Sequence, residues 1–296
     1  MRFVLLGEQA TGKSSLLVAL YGALVNHRAG EMRIARTVDD VEFLSNGLEA
    51  FGRRESVWRT ESDTQARLSI EVVLSGASVA LEVPDRSGDM LKHMLDRRIW
   101  DPGLEREITE ASGAMLFLRA DQLTEVPGPQ DGSAPPTAVL STLTDIQAGT
   151  APPNHDGDGW DSRKIARDSD PEPWSPALMP TDARAVDLLQ AVLEQRAQTL
   201  PVVVIVSAWD RAADDAAVPR AWLAEHVPLL EQFLANHDAR LPHTVFGVSA
   251  QGGEFSGETP DPAQTDDPWD RAYVIAPDGS RATFAEPLAW LVAAAG

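Results

Sequence analysis

Gly7-Glu8-Gln9-Ala10-Thr11-Gly12-Lys13-Ser14 stands between the strand-like Arg2–Leu6, with its short apolar run Phe3–Leu6, and a segment carrying Leu16, Leu17, Leu20, Leu24 and Val25 at helical spacing. It is a complete Walker A pattern in the context its chemistry requires: strand, glycine loop, helix. Gly7 and Gly12 allow backbone angles that turn amide N–H groups toward a phosphate. The helix N-terminus points its partial positive charge at the same anion. In this pattern the loop residues Gly7, Glu8, Gln9, Ala10, Thr11 and Gly12 cradle the phosphates, and Ser15 completes the set. Lys13 reaches the β- and γ-phosphates, and the Ser14 hydroxyl is a ligand for magnesium.

Outward from the loop, apolar β-type runs alternate with helical segments, which predicts an α/β fold. The helix after the loop is expected over Lys13–His27, amphipathic, with a second one capped by Thr37 and reaching Phe51. Ala66–Leu74 and Ser78–Pro84, joined by Ser75-Gly76-Ala77, read as an antiparallel hairpin. Met115–Arg119, Pro201–Val206 and His243–Val248 read as further strands. Helices are expected over Leu91–Ala111, interrupted at Pro102, over Pro219–Asn236 and over Phe284–Ala295. The expected architecture is a three-layer, mostly parallel six-stranded sheet with one antiparallel strand and helices on both faces. Residues 1–296 form a single domain in this reading. Two stretches break the pattern: residues 122–181, an acidic Pro/Gly-rich insertion expected to be partly disordered, and the polar loop 252–270.

Composition narrows the class. The chain of 296 residues has no cysteine, which excludes disulfide frameworks, thiolate metal sites and cysteine nucleophiles. Its net charge of -20, from 25 basic and 45 acidic residues, argues against nucleic acid or an anionic membrane as a broad-surface partner. No run approaches the roughly 18 apolar residues of a membrane span, and no leader is evident, so a cytoplasmic location is expected. His155–Asp161 lacks the spacing and closing glutamate of a calcium loop, and His93, His226 and His243 have no ligand spacing.

Three further landmarks follow in order. The strand ending at Pro84 leads into Asp85-Arg86-Ser87-Gly88. There Asp85 can hold a magnesium-bound water, and the Gly88 amide can sense a γ-phosphate. Val206 is followed by Ser207-Ala208-Trp209-Asp210. The Asp210 carboxylate can accept from guanine N1 and N2 and reject adenine. Ser249-Ala250 closes a later strand and looks like the Ser-Ala turn that touches guanine O6 through a backbone amide.

Together these residues resemble the P-loop GTPases of the translation-factor-related and Ras-like class, and most closely the bacterial double-GTPase families, which are linked to multi-protein conflict or defence systems. The resemblance spans nearly the whole chain apart from the two polar insertions. It implies a GTP/GDP-binding, magnesium-dependent molecular switch with water attacking in line on the γ-phosphate. A threonine of the loop before the second strand, Thr60 or alternatively Thr64, would join Ser14 and Asp85 around the metal. Lys13, Thr60, Gly88 and Asp89 would carry catalysis. The chain departs from the pattern in two places. Serine and alanine replace the Asn-Lys of the base-reading motif, which removes a lysine stem over the base, with Trp209 a partial substitute. Asp89 stands where Ras-like proteins have a glutamine. A carboxylate cannot donate to the phosphate, so slow intrinsic hydrolysis is expected, accelerated by Arg59, Arg86 or a partner's arginine. Partners implied are a guanine nucleotide, a protein effector or activator, and a nucleotide-dependent second copy. Two other readings stay open: an ATP-using P-loop enzyme in which Asp210 only caps a helix, and a nucleotide-binding scaffold with negligible turnover.

Overall fold

Alternation along β1 (Arg2–Leu6) sets the layers. Phe3 and Leu5 enter one apolar core, Val4 and Leu6 the other, because successive strand side chains point to opposite faces. The computed structural model describes residues 1–35, 41–53, 55, 68–83, 95, 97, 99, 102–124, 179–212, 218–253 and 271–296. By internal packing the chain divides into two units, Met1–Thr124 with Pro180–Gly296, and Glu125–Met179; apart from Met179 the described residues belong to the first.

Chain order runs β1, α1 (Lys13–Val25), β2 (Arg33–Ile34), α2 (Val41–Arg53), β3 (Leu68–Leu74), β4 (Ala77–Val83), α3 (Pro102–Glu110) and β5 (Gly113–Arg119). It continues with α4 (Thr181–Gln195), β6 (Val202–Ser207), a short turn of 3-10 helix at Trp209–Arg211, α5 (Pro219–His226), α6 (Pro228–Asn236) and β7 (His243–Ser249). The last elements are β8 (Tyr273–Ile275), β9 (Arg281–Ala282) and α7 (Glu286–Ala295).

The α/β class holds, but the sheet differs from the expected six strands. Among the described residues it has nine, in the order β2-β3-β4-β1-β5-β6-β7-β8-β9. The centre, β4 through β7, is parallel. Both margins are antiparallel: β2 and β3 on one side, β8 and β9 on the other. The hairpin at Ser75–Ala77 forms as expected. The additional strands β2, β8 and β9 are two or three residues long, too short to leave a period-two signal.

Helices α1, α2 and α7 cover one face of the sheet and α3 to α6 the other, as the two cores show. Helix α1 is not amphipathic. Leu16 to Leu20 and Gly22 to Leu24 are all buried, because α2 covers the side away from the sheet. Gly47 makes that approach possible: a Cβ there would lie 2.6 Å from Val18 Cγ2. Pro102 is the first residue of α3, as its fixed φ and missing N–H suit the first turn; of the helical stretch expected before it, Leu95 and Arg97 are helical and most of the other residues lie outside the described ones. The helix expected over Pro219–Asn236 divides at Val227 because Pro228 opens a second one. Asp182, from α4, accepts from Leu229 N at 2.9 Å and Leu230 N at 2.6 Å and so caps α6 across a tertiary contact. Buried Arg196 does the equivalent at the C-terminal end of α3, donating to Ile108 O, Thr109 O and Ala111 O at 2.6–2.9 Å.

Candidate nucleotide site

The carboxyl ends of β1, β5, β6 and β7 meet at one edge of the sheet, which is where open α/β sheets bind ligands. From β1 the chain enters the glycine loop. Gly7 (φ +148°) permits an approach no other residue fits: a Cβ there would lie 2.9 Å from both Phe117 Cβ and Thr11 Oγ1. At Gly12 (φ +89°) a Cβ would lie 3.0 Å from Ser207 Cβ. Thr11 Oγ1 donates to Glu8 O at 2.8 Å and holds the loop curled. Lys13 Nζ folds back over it, donating to Gly7 O at 2.7 Å and Glu8 O at 2.5 Å.

Gly12 is also the N-cap of α1, and no side chain there accepts from the helix amides. The first turn, which includes Ser14 and Ser15, carries no acidic residue. The N–H groups and positive end of α1 are thus left for an anion, with a lysine ammonium beside them. This cradle fits a phosphate chain. Gln9 and Ala10 form its rim, Ala10 taking a left-handed φ of 59° without being glycine.

The next strand pair supplies the second half. Ser207 stands where the pattern has asparagine, and its hydroxyl reaches Thr11 O at 2.8 Å and Leu118 O at 3.1 Å. A serine therefore ties β6 to the phosphate loop, and the short side chain matches the tight spacing at Gly12. Ala208 turns the chain through a left-handed conformation (φ 52°) into the Trp209–Arg211 turn. There Asp210 is exposed, and its Oδ1 accepts from the Ser249 hydroxyl at 2.5 Å. Ser249 is fully buried and in turn accepts from Gly252 N at 3.0 Å. Asp210 does not cap the next helix: α5 begins after Val218 with no side-chain cap. Ala250 follows Ser249 at the same edge, partly buried against the core. Tyr273 pairs with Ser249 across β7–β8; burial raises its phenol pKa and the Asp210 charge raises it further, while Arg281 opposes both.

Trp209 does not cover a base. The residue is 6% exposed and its ring lies edge-on to Trp222 in the core beneath the sheet. The reason is local: Gly247 on β7 leaves the space, and a Cβ there would stand 2.4 Å from the indole. Gly247→Ala is expected to displace the ring and the Asp210 turn attached to it. The variant should lose about 1–3 kcal/mol of stability in chemical denaturation, through overpacking, with weaker nucleoside binding.

Arg119 and Asp121 were not anticipated. Arg119 Nε donates to Asp121 Oδ1 at 2.6 Å and Nη2 to Oδ2 at 3.2 Å, while Nη1 reaches Ala10 O at 3.2 Å. Arg211 Nη1 lies 3.3 Å from Asp121 Oδ2. Burial pushes the Asp121 carboxyl up, but the hydrogen bond and charge of Arg119 and the charge of Arg211 outweigh it, leaving the pKa below the ordinary value. The available signal was Arg119-Ala120-Asp121 directly after an apolar strand.

The structure thus brings Gly7–Ser15, Ser207–Asp210 and Ser249–Ala250 to one edge. Thr60, Thr64, Arg59, Asp85, Arg86, Gly88 and Asp89 lie outside the described residues, as do residues 125–178 and 254–270 of the two insertions. Among the described residues no cluster of three acidic or histidine side chains offers a metal site, so Ser14 is the described candidate ligand.

A glycine loop between a parallel strand and a helix, with a lysine over it and a carboxylate on a neighbouring strand end, defines a P-loop nucleotide-binding protein. The Double-GTPase 1 family description matches residues 4–291, and the chain belongs to that family. No match is found among curated proteins. Among solved structures, the G domain of the T. maritima FeoB iron transporter is similar at 12% identity, over 86% of this chain and 91% of that one, with a TM-score of 0.31. No helix among the described residues is long and apolar enough to cross a membrane.

Proposed function

We propose that this protein binds GTP with Mg²⁺, hydrolyses it slowly to GDP, and acts as a molecular switch that engages a protein partner in its GTP form. The observation that carries the guanine reading is the exposed Asp210 carboxylate, held by buried Ser249 at the same strand edge as the phosphate loop. A carboxylate fixed there accepts two hydrogen bonds from guanine N1 and N2 and meets adenine's acceptor with repulsion. Lys13, the loop amides and the α1 N-terminus would take the triphosphate. Ser14, Thr60 and Asp85 would hold the metal, which supplies charge neutralisation at the phosphates when bound. Asp89, in place of a water-orienting glutamine, would keep the intrinsic rate low until an arginine arrives in cis or from a partner, a second copy included. The insertion at residues 122–181 would serve as the partner-binding segment of an otherwise single domain.

Titration of the full chain with labelled GTP, GDP and ATP in magnesium tests the first claim, and phosphate release under single turnover tests the second. Guanine nucleotides should bind at least about a hundredfold more tightly than ATP, since a site built to pair with a base's donors rejects the analogue lacking them. Equal or tighter ATP binding would overturn the guanine assignment. Tight GTP binding with no phosphate release would instead make the protein a nucleotide-holding scaffold, a reading that Asp89 favours.

A further inference from the structure

The lysine missing at Ala208 leaves one face of the base without a cover, and Trp209 is committed to the core. Another cation stands one strand away. In the β5–β6 register Arg119 lies opposite Ser207, the residue before Ala208. Its guanidinium touches the phosphate loop at Ala10 O, at 3.2 Å. Through Asp121 it is joined to Arg211, the residue after Asp210, by contacts of 2.6 Å and 3.3 Å. The group therefore lies between the loop that takes the phosphates and the turn that carries the base-reading carboxylate. A nucleoside must cross that span.

Orientation matters as much as place. Nε and Nη2 are engaged by the two oxygens of Asp121 and Nη1 by the Ala10 carbonyl. All three contacts run along the edges of the planar group and fix its plane. Hydrogen bonds made in the plane do not use the flat faces, and a delocalised, weakly hydrated guanidinium stacks on aromatic rings better than an ammonium does. The side chain is 28% exposed, so a ring can still reach it. Because Asp121 holds the fork before any ligand arrives, little side-chain entropy remains to be lost on binding.

We propose that Arg119 lies over one face of the nucleotide base and supplies from the neighbouring strand the cover that Ala208 lacks. Asp121 acts as its positioning residue. This deepens the nucleotide reading above and rests on it. A cation over a purine face favours neither guanine nor adenine. Arg119 thus governs affinity for the nucleoside, and Asp210 governs which base is chosen.

The competing role for Arg119 is a brace that only holds the phosphate loop at Ala10. The two roles separate when a ligand with a base is compared with one without. Calorimetric titration of the full chain with GDP and with inorganic triphosphate, both in magnesium, should be run on the wild type, Arg119→Ala and Arg119→Lys. Base cover predicts that Arg119→Ala weakens GDP by about tenfold or more and leaves inorganic triphosphate within about twofold. Arg119→Lys should recover part of the loss, and it also serves if the alanine variant fails to fold. Equal loss for both ligands makes Arg119 a brace and overturns the proposal, and so does an unchanged GDP affinity. Wild-type protein that prefers ADP would sink the guanine reading alone. The same comparison run with ADP would then still decide the role of Arg119.

Discussion

Lys13→Ala is expected to abolish measurable GTP and GDP binding at micromolar nucleotide while leaving the chain folded. The ammonium is the one basic group the loop itself carries, and it lies against the carbonyls of Gly7 and Glu8, at the mouth of the loop. On nucleotide binding it would exchange those carbonyls for phosphate oxygens, which bear full charge. Hydrogen bonds to charged groups contribute roughly 1.5–3 kcal/mol each, so losing the lysine costs on the order of a hundredfold in affinity or more. The fold should survive because the lysine is only partly buried and the loop keeps its Thr11–Glu8 and Ser207–Thr11 bonds. Thermal denaturation reads both effects at once. The wild type should melt higher as GDP is added, by mass action on the native state, and the variant should melt at one temperature throughout. A ligand-dependent shift in the variant as large as in the wild type would remove Lys13 from the site.

The second large effect is expected at Asp210→Asn. Guanine offers N–H donors at N1 and N2. The carboxylate accepts both, whereas an amide accepts one and turns its own N–H₂ against the other. Affinity for GDP should fall by on the order of a thousandfold, because the unpaired donors are desolvated without compensation. Xanthine carries a carbonyl at C2 and matches the amide, so xanthosine diphosphate should become the preferred ligand. The local fold has little reason to change. The Ser249 hydroxyl donates to Asp210 Oδ1, and an amide oxygen accepts the same bond. Inversion of the GDP-to-xanthosine-diphosphate preference in competition binding would establish direct base contact. A uniform loss for both nucleotides would show that the substitution had only disturbed the Trp209–Arg211 turn.

How the site was read from the sequence follows how local its parts are. Gly7 to Ser14 was legible because loop, strand and helix are contiguous, and the steric needs of Gly7 and Gly12 leave a fixed spacing. The central strands were legible because burial on both faces makes them continuous apolar runs, as in Val202–Ser207. Helix α4 was not anticipated. Its buried stripe of Ala185, Leu188, Leu189 and Val192 is interleaved with Arg184 and Asp187, which are also buried, so the apolar pattern is broken. The break at Val227 was missed because a proline starting a second helix looks locally like a proline inside a longer one; the cap that settles it, Asp182, is 48 residues from Leu230.

The base side depended most on distance. Asp210 could be picked out from its spacing after an apolar strand, yet that Ser249 holds it, that Ser207 ties β6 to Thr11, and that Trp209 fills a space left by Gly247 are all contacts between separate strands. The sequence determined that this chain has a phosphate loop on a parallel sheet, since backbone conformation and strand burial act over a few residues and leave local patterns. Only the tertiary structure decided which cation lies beside the turn that carries Asp210, because Arg119 and Ser207 become partners through the pairing of β5 with β6, and strand register depends on packing across the whole sheet.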